Sequence, residues 1–153
     1  MTKSFKGRVV VGGEVTAKAL VSHGGFNTLA NLSTIGSIAN RSNVCEDQNN
    51  PDLYGKHFPG CALCLPETIG STTGGMVLYC VGKTGFGPKC MLFSKRADTL
   101  AISGAVLLAN WSDDPMVMID ELGEEFLEYV KEGMTISTSS DGIVTVMDDP
   151  EHE

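Results

Sequence analysis

Leu65-Pro66-Glu67-Thr68-Ile69-Gly70-Ser71-Thr72-Thr73-Gly74-Gly75-Met76-Val77-Leu78-Tyr79-Cys80 decides how the rest of the chain is read. An apolar run ends at Leu65-Pro66, a polar turn of Gly, Ser and Thr follows, and Met76 to Val81 reads as the buried part of a helix. The pattern is a strand-turn-helix junction with a serine at the turn. The free N–H groups and partial positive charge of a helix's first turn favour anions at such a place. Ser71 therefore has two readings. Either it or a neighbouring threonine caps the helix, or Gly70 turns the backbone tightly, the helix end neutralises a substrate anion, and Ser71 takes part in proton transfer. Nucleotide-loop and nucleophile-elbow signatures do not fit, because Gly70 directly precedes Ser71 and no Gly-Lys-Ser/Thr ending follows.

Upstream, Gly60 to Pro66 reads as the strand entering the turn. Downstream, Thr72 to about Gly82 reads as the helix leaving it, and Cys90 to Phe93 as the next strand, so the centre of the chain predicts a β-α-β unit. Phe5–Val11 and Glu14–Ser22 are β-prone runs separated by Gly12-Gly13, which predicts a hairpin. In the second run Val15, Ala17, Ala19 and Val21 share one face. Ala30 to Ala39 reads as a short helix or an excursion, and Cys45 to Asp52 as loop. An apolar run at Ala105–Ala109 follows the polar turn at Asp98-Thr99. Leu122, Phe126, Leu127 and Val130 recur at helical spacing, with Glu124, Glu125 and Glu128 on the other side. Met134–Thr138 and Ile143–Met147 predict a closing hairpin through Asp141-Gly142. The expected fold class is mixed α/β, β-rich at both ends, as one domain over residues 1–147 with an acidic tail at 148–153.

The chain has 153 residues, 11 basic and 19 acidic side chains and a net charge of −8. That balance argues against nucleic acid or an anionic membrane surface as the main partner. No apolar leader or spanning stretch is evident, so a cytoplasmic location is expected. The odd count of five cysteines fits free thiols in a reducing compartment. Cys61 and Cys64 form a Cys-x-x-Cys pair inside an apolar strand, where residues three apart point to opposite faces and cannot converge on one metal. No metal site is expected in this chain.

Together, Gly-Arg-Val-Val-Val-Gly-Gly near the start, His-Gly-Gly-Phe-Asn at 23–27, Glu-Asp-Gln-Asn-Asn-Pro-Asp-Leu-Tyr-Gly-Lys at 46–56 and the central stretch resemble the small subunit, or swivelling domain, of aconitase X enzymes. The resemblance runs from about Lys6 to Val146. It implies a swivelling β/β/α fold closing over a large catalytic subunit that holds an iron-sulfur cluster, with none bound by this chain alone. It also implies that Ser71 removes a proton from the carbon beside a substrate carboxylate. Gly25, Phe26 and Asn27 are expected near the substrate, with Asp47 and Thr72 as further candidates. Their bland readings are a turn for Gly25, core for Phe26 and an Asx-turn for Asp47. Within the family the resemblance is drawn to the bacterial two-subunit cis-3-hydroxy-L-proline dehydratases, which form 1-pyrroline-2-carboxylate. The alternatives are a phosphomevalonate dehydratase small subunit and a stand-alone anion-binding module. The loops flanking Ser71 are poor in Lys and Arg, which weighs against a phosphate in the substrate.

Overall fold

The structure is a computed structural model that describes residues 2–32, 43–70 and 72–148. Ser71 and the tail beyond Asp148 lie outside the described residues, as does most of the expected excursion at 30–39. The strands are β1 (Thr2–Lys6), β2 (Arg8–Val11), β3 (Thr16–Val21), β4 (Phe26–Asn27), β5 (Ala62–Leu65), β6 (Thr68–Ile69), β7 (Cys90–Phe93), β8 (Val117–Asp120), β9 (Thr135–Thr138) and β10 (Ile143–Met147). The helices are α1 (Thr28–Leu32), α2 (Gly74–Lys83), α3 (Thr99–Trp111) and α4 (Glu124–Tyr129).

Eight strands form one sheet in the order β1-β10-β9-β3-β5-β7-β8-β2. Its centre, β3-β5-β7-β8, is parallel, and the flanking pairs are antiparallel. Only Gly7 separates β1 from β2, yet these strands stand at opposite ends of the order, so the sheet curls until its ends meet. Gly7 N–H donates to Gly142 O at 3.0 Å across that seam. A Cβ at Gly7 would sit 2.5 Å from Asp120 O, which is why glycine stands there.

All residues of β5, β7 and β8 are buried, as expected of parallel strands covered on both faces. Alternation divides them between two cores. Leu63, Leu65, Met91, Phe93 and Met118 join Leu78, Ala101, Ala105 and Leu108 of α2 and α3. Ala62, Cys64, Cys90, Leu92, Val117 and Ile119 join Ile136, Val144 and Val146 on the concave side, which Phe126 and Leu127 of α4 close. Phe5 meets Phe126 edge-on at 5.4 Å. Cys61 and Cys64 fall into different cores, as strand geometry requires.

The β-α-β unit is present, with β5 and β7 parallel and α2 between them, and β9–β10 form the expected hairpin. Two expectations are corrected. The first two β-prone runs do not form a hairpin: β2 pairs with β8, and β3 with β9 and β5, because the partners lie far along the chain and Gly12-Gly13 carries a crossing. Met76 is exposed rather than core, since the inner face of α2 is Gly74, Gly75, Leu78 and Val81. The helical spacing read at 122–130 corresponds to α4, which follows β8 and divides into a buried and an acidic face.

Candidate active site at the carboxyl ends of the parallel strands

Parallel strands place their carboxyl ends, and the amino ends of the helices that follow, on one edge of the sheet, where ligands of open α/β folds bind. Here the loops after β3, β5 and β7 meet at that edge. Corresponding contacts run along α2 and α3 in step, from Gly75 against Leu100 and Ser103 to Gly82 against Leu108, so the two helices start side by side.

The glycine loop at 23–27 and the central turn are joined by a small parallel sheet, with Phe26 opposite Thr68 and Asn27 opposite Ile69. Two glycines permit the approach. A Cβ at Gly25 would lie 2.7 Å from the Ile69 side chain, and one at Gly70, whose φ is +99°, would lie 2.7 Å from Asn27 Oδ1. The structure thus brings Gly25, Phe26 and Asn27 against the two residues that lead into Ser71.

Their side chains serve different ends. Phe26 is fully buried and stacks on Phe58 with ring centroids 5.9 Å apart, so its ring belongs to the core. Asn27 Oδ1 accepts from Ala30 N–H at 3.0 Å and starts α1. Asn27 O accepts from Asn31 Nδ2 at 3.0 Å, and Asn31 Oδ1 accepts from Asp47 N–H at 3.3 Å, which ties the 43–58 loop to the site. Asp47 itself is buried, and its Oδ1 accepts from Asn49 N–H at 2.9 Å, an Asx-turn. Thr72 is exposed at the turn.

Thr73, the N-cap of α2, makes no side-chain capping hydrogen bond, and the first turn of α2 carries no acidic residue. α3 starts differently. Asp98 Oδ1 accepts from Leu100 N–H at 2.9 Å and Ala101 N–H at 3.0 Å, and Asp98 Oδ2 accepts from the Thr68 hydroxyl. Between the two starts lies a cleft of about 230 Å³ lined by Thr28, Thr68, Gly70, Gly74, Asp98 and Leu100 among others.

Sequence reasoning missed Thr68 and Asp98, although Asp98 ahead of Thr99-Leu100-Ala101 is a legible N-cap signal. It also missed Lys95 and Arg96, which the β7–α3 loop carries to the same edge. Lys95 Nζ lies 3.7 Å from Glu67 Oε1. The loop is anchored by Asp120, buried at the end of β8, whose Oδ2 accepts from Ala97 N–H at 2.8 Å and which pairs with Arg8 through both oxygens at 2.8 and 2.6 Å. Burial alone would push the Asp120 carboxyl up, but the Arg8 and Ala97 hydrogen bonds and the Arg8 and Arg96 charges together hold it below the usual carboxylate range.

A family model described as "Aconitase X swivel domain" matches residues 4–146. The chain belongs to the aconitase X swivel domain family. The phosphomevalonate dehydratase small subunit of Methanocella arvoryzae is 31% identical over 87% of this chain and 90% of its own length. That of Aeropyrum pernix is 29% identical over 94% of this chain and 92% of its own. The crystal structure of Thermococcus kodakaraensis aconitase X superposes with a TM-score of 0.80 at 23% identity, covering 95% of this chain and 99% of that one. The expected fold class and a hydro-lyase subunit agree with these matches. The cis-3-hydroxy-L-proline expectation does not: these relatives are named for phosphomevalonate, the alternative substrate. It rested on the overall resemblance, on a region at residues 29–44 longer than in the phosphomevalonate enzymes, and on the scarcity of Lys and Arg beside Ser71, and relatives named for phosphomevalonate outweigh these.

Iron-sulfur clusters are held by thiolates, and the described part of this chain does not fit one. Among the described residues no three of His, Cys, Asp and Glu are placed to hold a metal ion. Burial pushes the Cys45 and Cys90 thiols up to about 12 and raises Cys61 and Cys64 further from ionisation. Among the described residues, no helix is long and apolar enough to cross a membrane.

Proposed function

We propose that the chain is the small subunit of a phosphomevalonate dehydratase of the aconitase X type, with Ser71 as proton acceptor in a site completed by a large subunit. Support comes chiefly from the meeting of the Gly25–Asn27 strand with the Thr68–Gly70 strand at the sheet edge, in a chain whose named relatives are phosphomevalonate dehydratase small subunits. Any iron-sulfur cluster is assigned to the large subunit, because the described cysteines of this chain are in its cores or apart from one another.

Dehydration of a 3-hydroxy acid needs a base at the carbon beside the carboxylate and departure of the hydroxyl. Serine is a poor base, and its alkoxide forms only where donors or positive charge stabilise it. The start of α2, with no acid in its first turn, favours negative charge, and the exposed residues there are Thr72 and Thr73, while Gly74 and Gly75 face the core and α3. Lys95 and Arg96 supply cations at the same edge for a phosphate-bearing substrate. Gly25 and Asn27 pack against Ile69 and Gly70 where the chain enters the turn, and Thr72 is the exposed hydroxyl next to Ser71 in the chain.

The test is a dehydration assay with phosphomevalonate on the chain alone, on the large subunit alone and on the co-expressed pair. Turnover by the pair only is expected. Ligand binding by the isolated chain with no gain on adding the partner would instead indicate a stand-alone anion-binding module.

A further inference from the structure

We propose that the first turn of α3 is the bracket that sets the position of the turn between Gly70 and Gly74, with Asp98 and Thr68 as positioning residues. The inference deepens the proposed function and rests on it for its kinetic arm only. Both ends of the turn bear on the same few residues of α3. At the entering end, the Thr68 hydroxyl donates to Asp98 Oδ2. At the leaving end, Gly75 packs so tightly that a Cβ there would lie 2.5 Å from Leu100 O and from Ser103 Oγ. Ser103 Oγ itself donates to Leu100 O at 2.7 Å, which holds that surface in place.

Asp98 is suited to this because its two oxygens divide the task. Oδ1 caps α3 through Leu100 and Ala101, so the carboxylate is fixed to the helix before it reaches Thr68. Three donors satisfy it as an acceptor. The adjoining Ala97 N–H is held by the buried Asp120, so the cap stands on a rigid base. A side chain that only capped α3 would need Oδ1 alone. The second oxygen links β7's loop to β6, two residues before Gly70, and that link is the unexplained part of a capping role.

The Thr68 hydroxyl can be removed without touching the cap. Thr68→Val keeps the shape of the side chain, and Thr68→Ser keeps the hydroxyl. In hydrogen exchange on the full chain, Thr68→Val is expected to speed exchange in the peptide covering 68–76 while β9 and β10 stay as protected as in wild type, and Thr68→Ser is expected to match wild type. In the assembled pair, Thr68→Val should lower kcat roughly tenfold or more with KM changed less than about twofold, as small misplacements of a reacting group do. Asp98→Asn combined with Thr68→Val should cost little beyond either alone.

Unchanged exchange at 68–76 in Thr68→Val, or faster exchange throughout the chain, would overturn the bracket. Loss of kcat in Thr68→Ser equal to that in Thr68→Val would do so too. If the wild-type pair does not turn over phosphomevalonate, the proposed function fails while the exchange arm still decides the bracket.

Discussion

α2 and α3 begin side by side at one edge of the sheet, and they begin with opposite electrostatics. At α3 a carboxylate occupies the amino end: Asp98 accepts from Leu100 and Ala101, and Asp120 holds the residue before it. At α2 no carboxylate is present in the cap or first turn, and the segment is Ser71-Thr72-Thr73-Gly74-Gly75. An anion is repelled from the first start and favoured at the second. The difference separates a helix start occupied by its own carboxylate from one that carries none.

The comparison can be broken from the supporting side first. Asp120→Ala removes the acceptor for the buried Ala97 N–H and the bidentate partner of the half-exposed Arg8, at a cost of roughly 2 kcal/mol, mainly for the buried donor left unsatisfied, measured by urea unfolding. The same carboxyl predicts the acid limb. Its folded pKa is depressed, so its contribution is present above the unfolded carboxylate range, about pH 4, and is lost as pH falls through the folded value. Asp120→Asn should flatten thermal stability against pH on that limb and leave the neutral range parallel to wild type.

Gly75 and Gly74 sharpen the contrast between neighbours. Gly75→Ala drives a Cβ into the backbone of α3 and is expected to cost roughly 2 kcal/mol, more than the helix propensity alanine gains. At Gly74 the nearest atom to a Cβ is Thr28 Cβ at 3.6 Å, an ordinary contact. Gly74→Ala should therefore change stability by less than about 0.5 kcal/mol. Between these, Asp98→Ala should cost about 1 kcal/mol through the lost cap, and Thr68→Val should leave that cap's share intact. Equal losses at Gly74 and Gly75 would contradict the close packing of the helix starts.

Much of the support was legible in the chain. Cys90–Phe93 matches β7, the 134–147 hairpin pairs as its alternation and Asp-Gly turn suggest, and Val15, Ala17, Ala19 and Val21 share the concave core. α3 was visible only as an apolar run. Its Ala, Ser and Gly content blurs the helical period, because the small residues serve close packing on α2, as at Gly104, where a Cβ would lie 2.8 Å from Gly75 O. The amino-terminal strands were misjoined for a different reason. Alternation reports which face is buried, not which strand is the partner, and β2 finds its neighbour more than a hundred residues away.

The site was legible in part. The glycines and Asn27 at the turn follow from close approach and positive φ, which leave marks in sequence. The Thr68–Asp98 link and the arrival of Lys95 and Arg96 depend on β5 and β7 lying side by side, and no local pattern reports that. The scarcity of Lys and Arg next to Ser71 in the chain therefore says nothing of the cations that the β7–α3 loop brings to Glu67 and Asp120.

The most direct measurement is phosphomevalonate dehydration by the co-expressed pair, wild type against Ser71→Ala, with assembly and unfolding temperature checked in both. A fall in kcat of roughly a hundred- to ten-thousand-fold in an intact complex is expected if Ser71 accepts the proton. An intact complex with unchanged turnover would contradict that role and leave the turn as a structural start to α2.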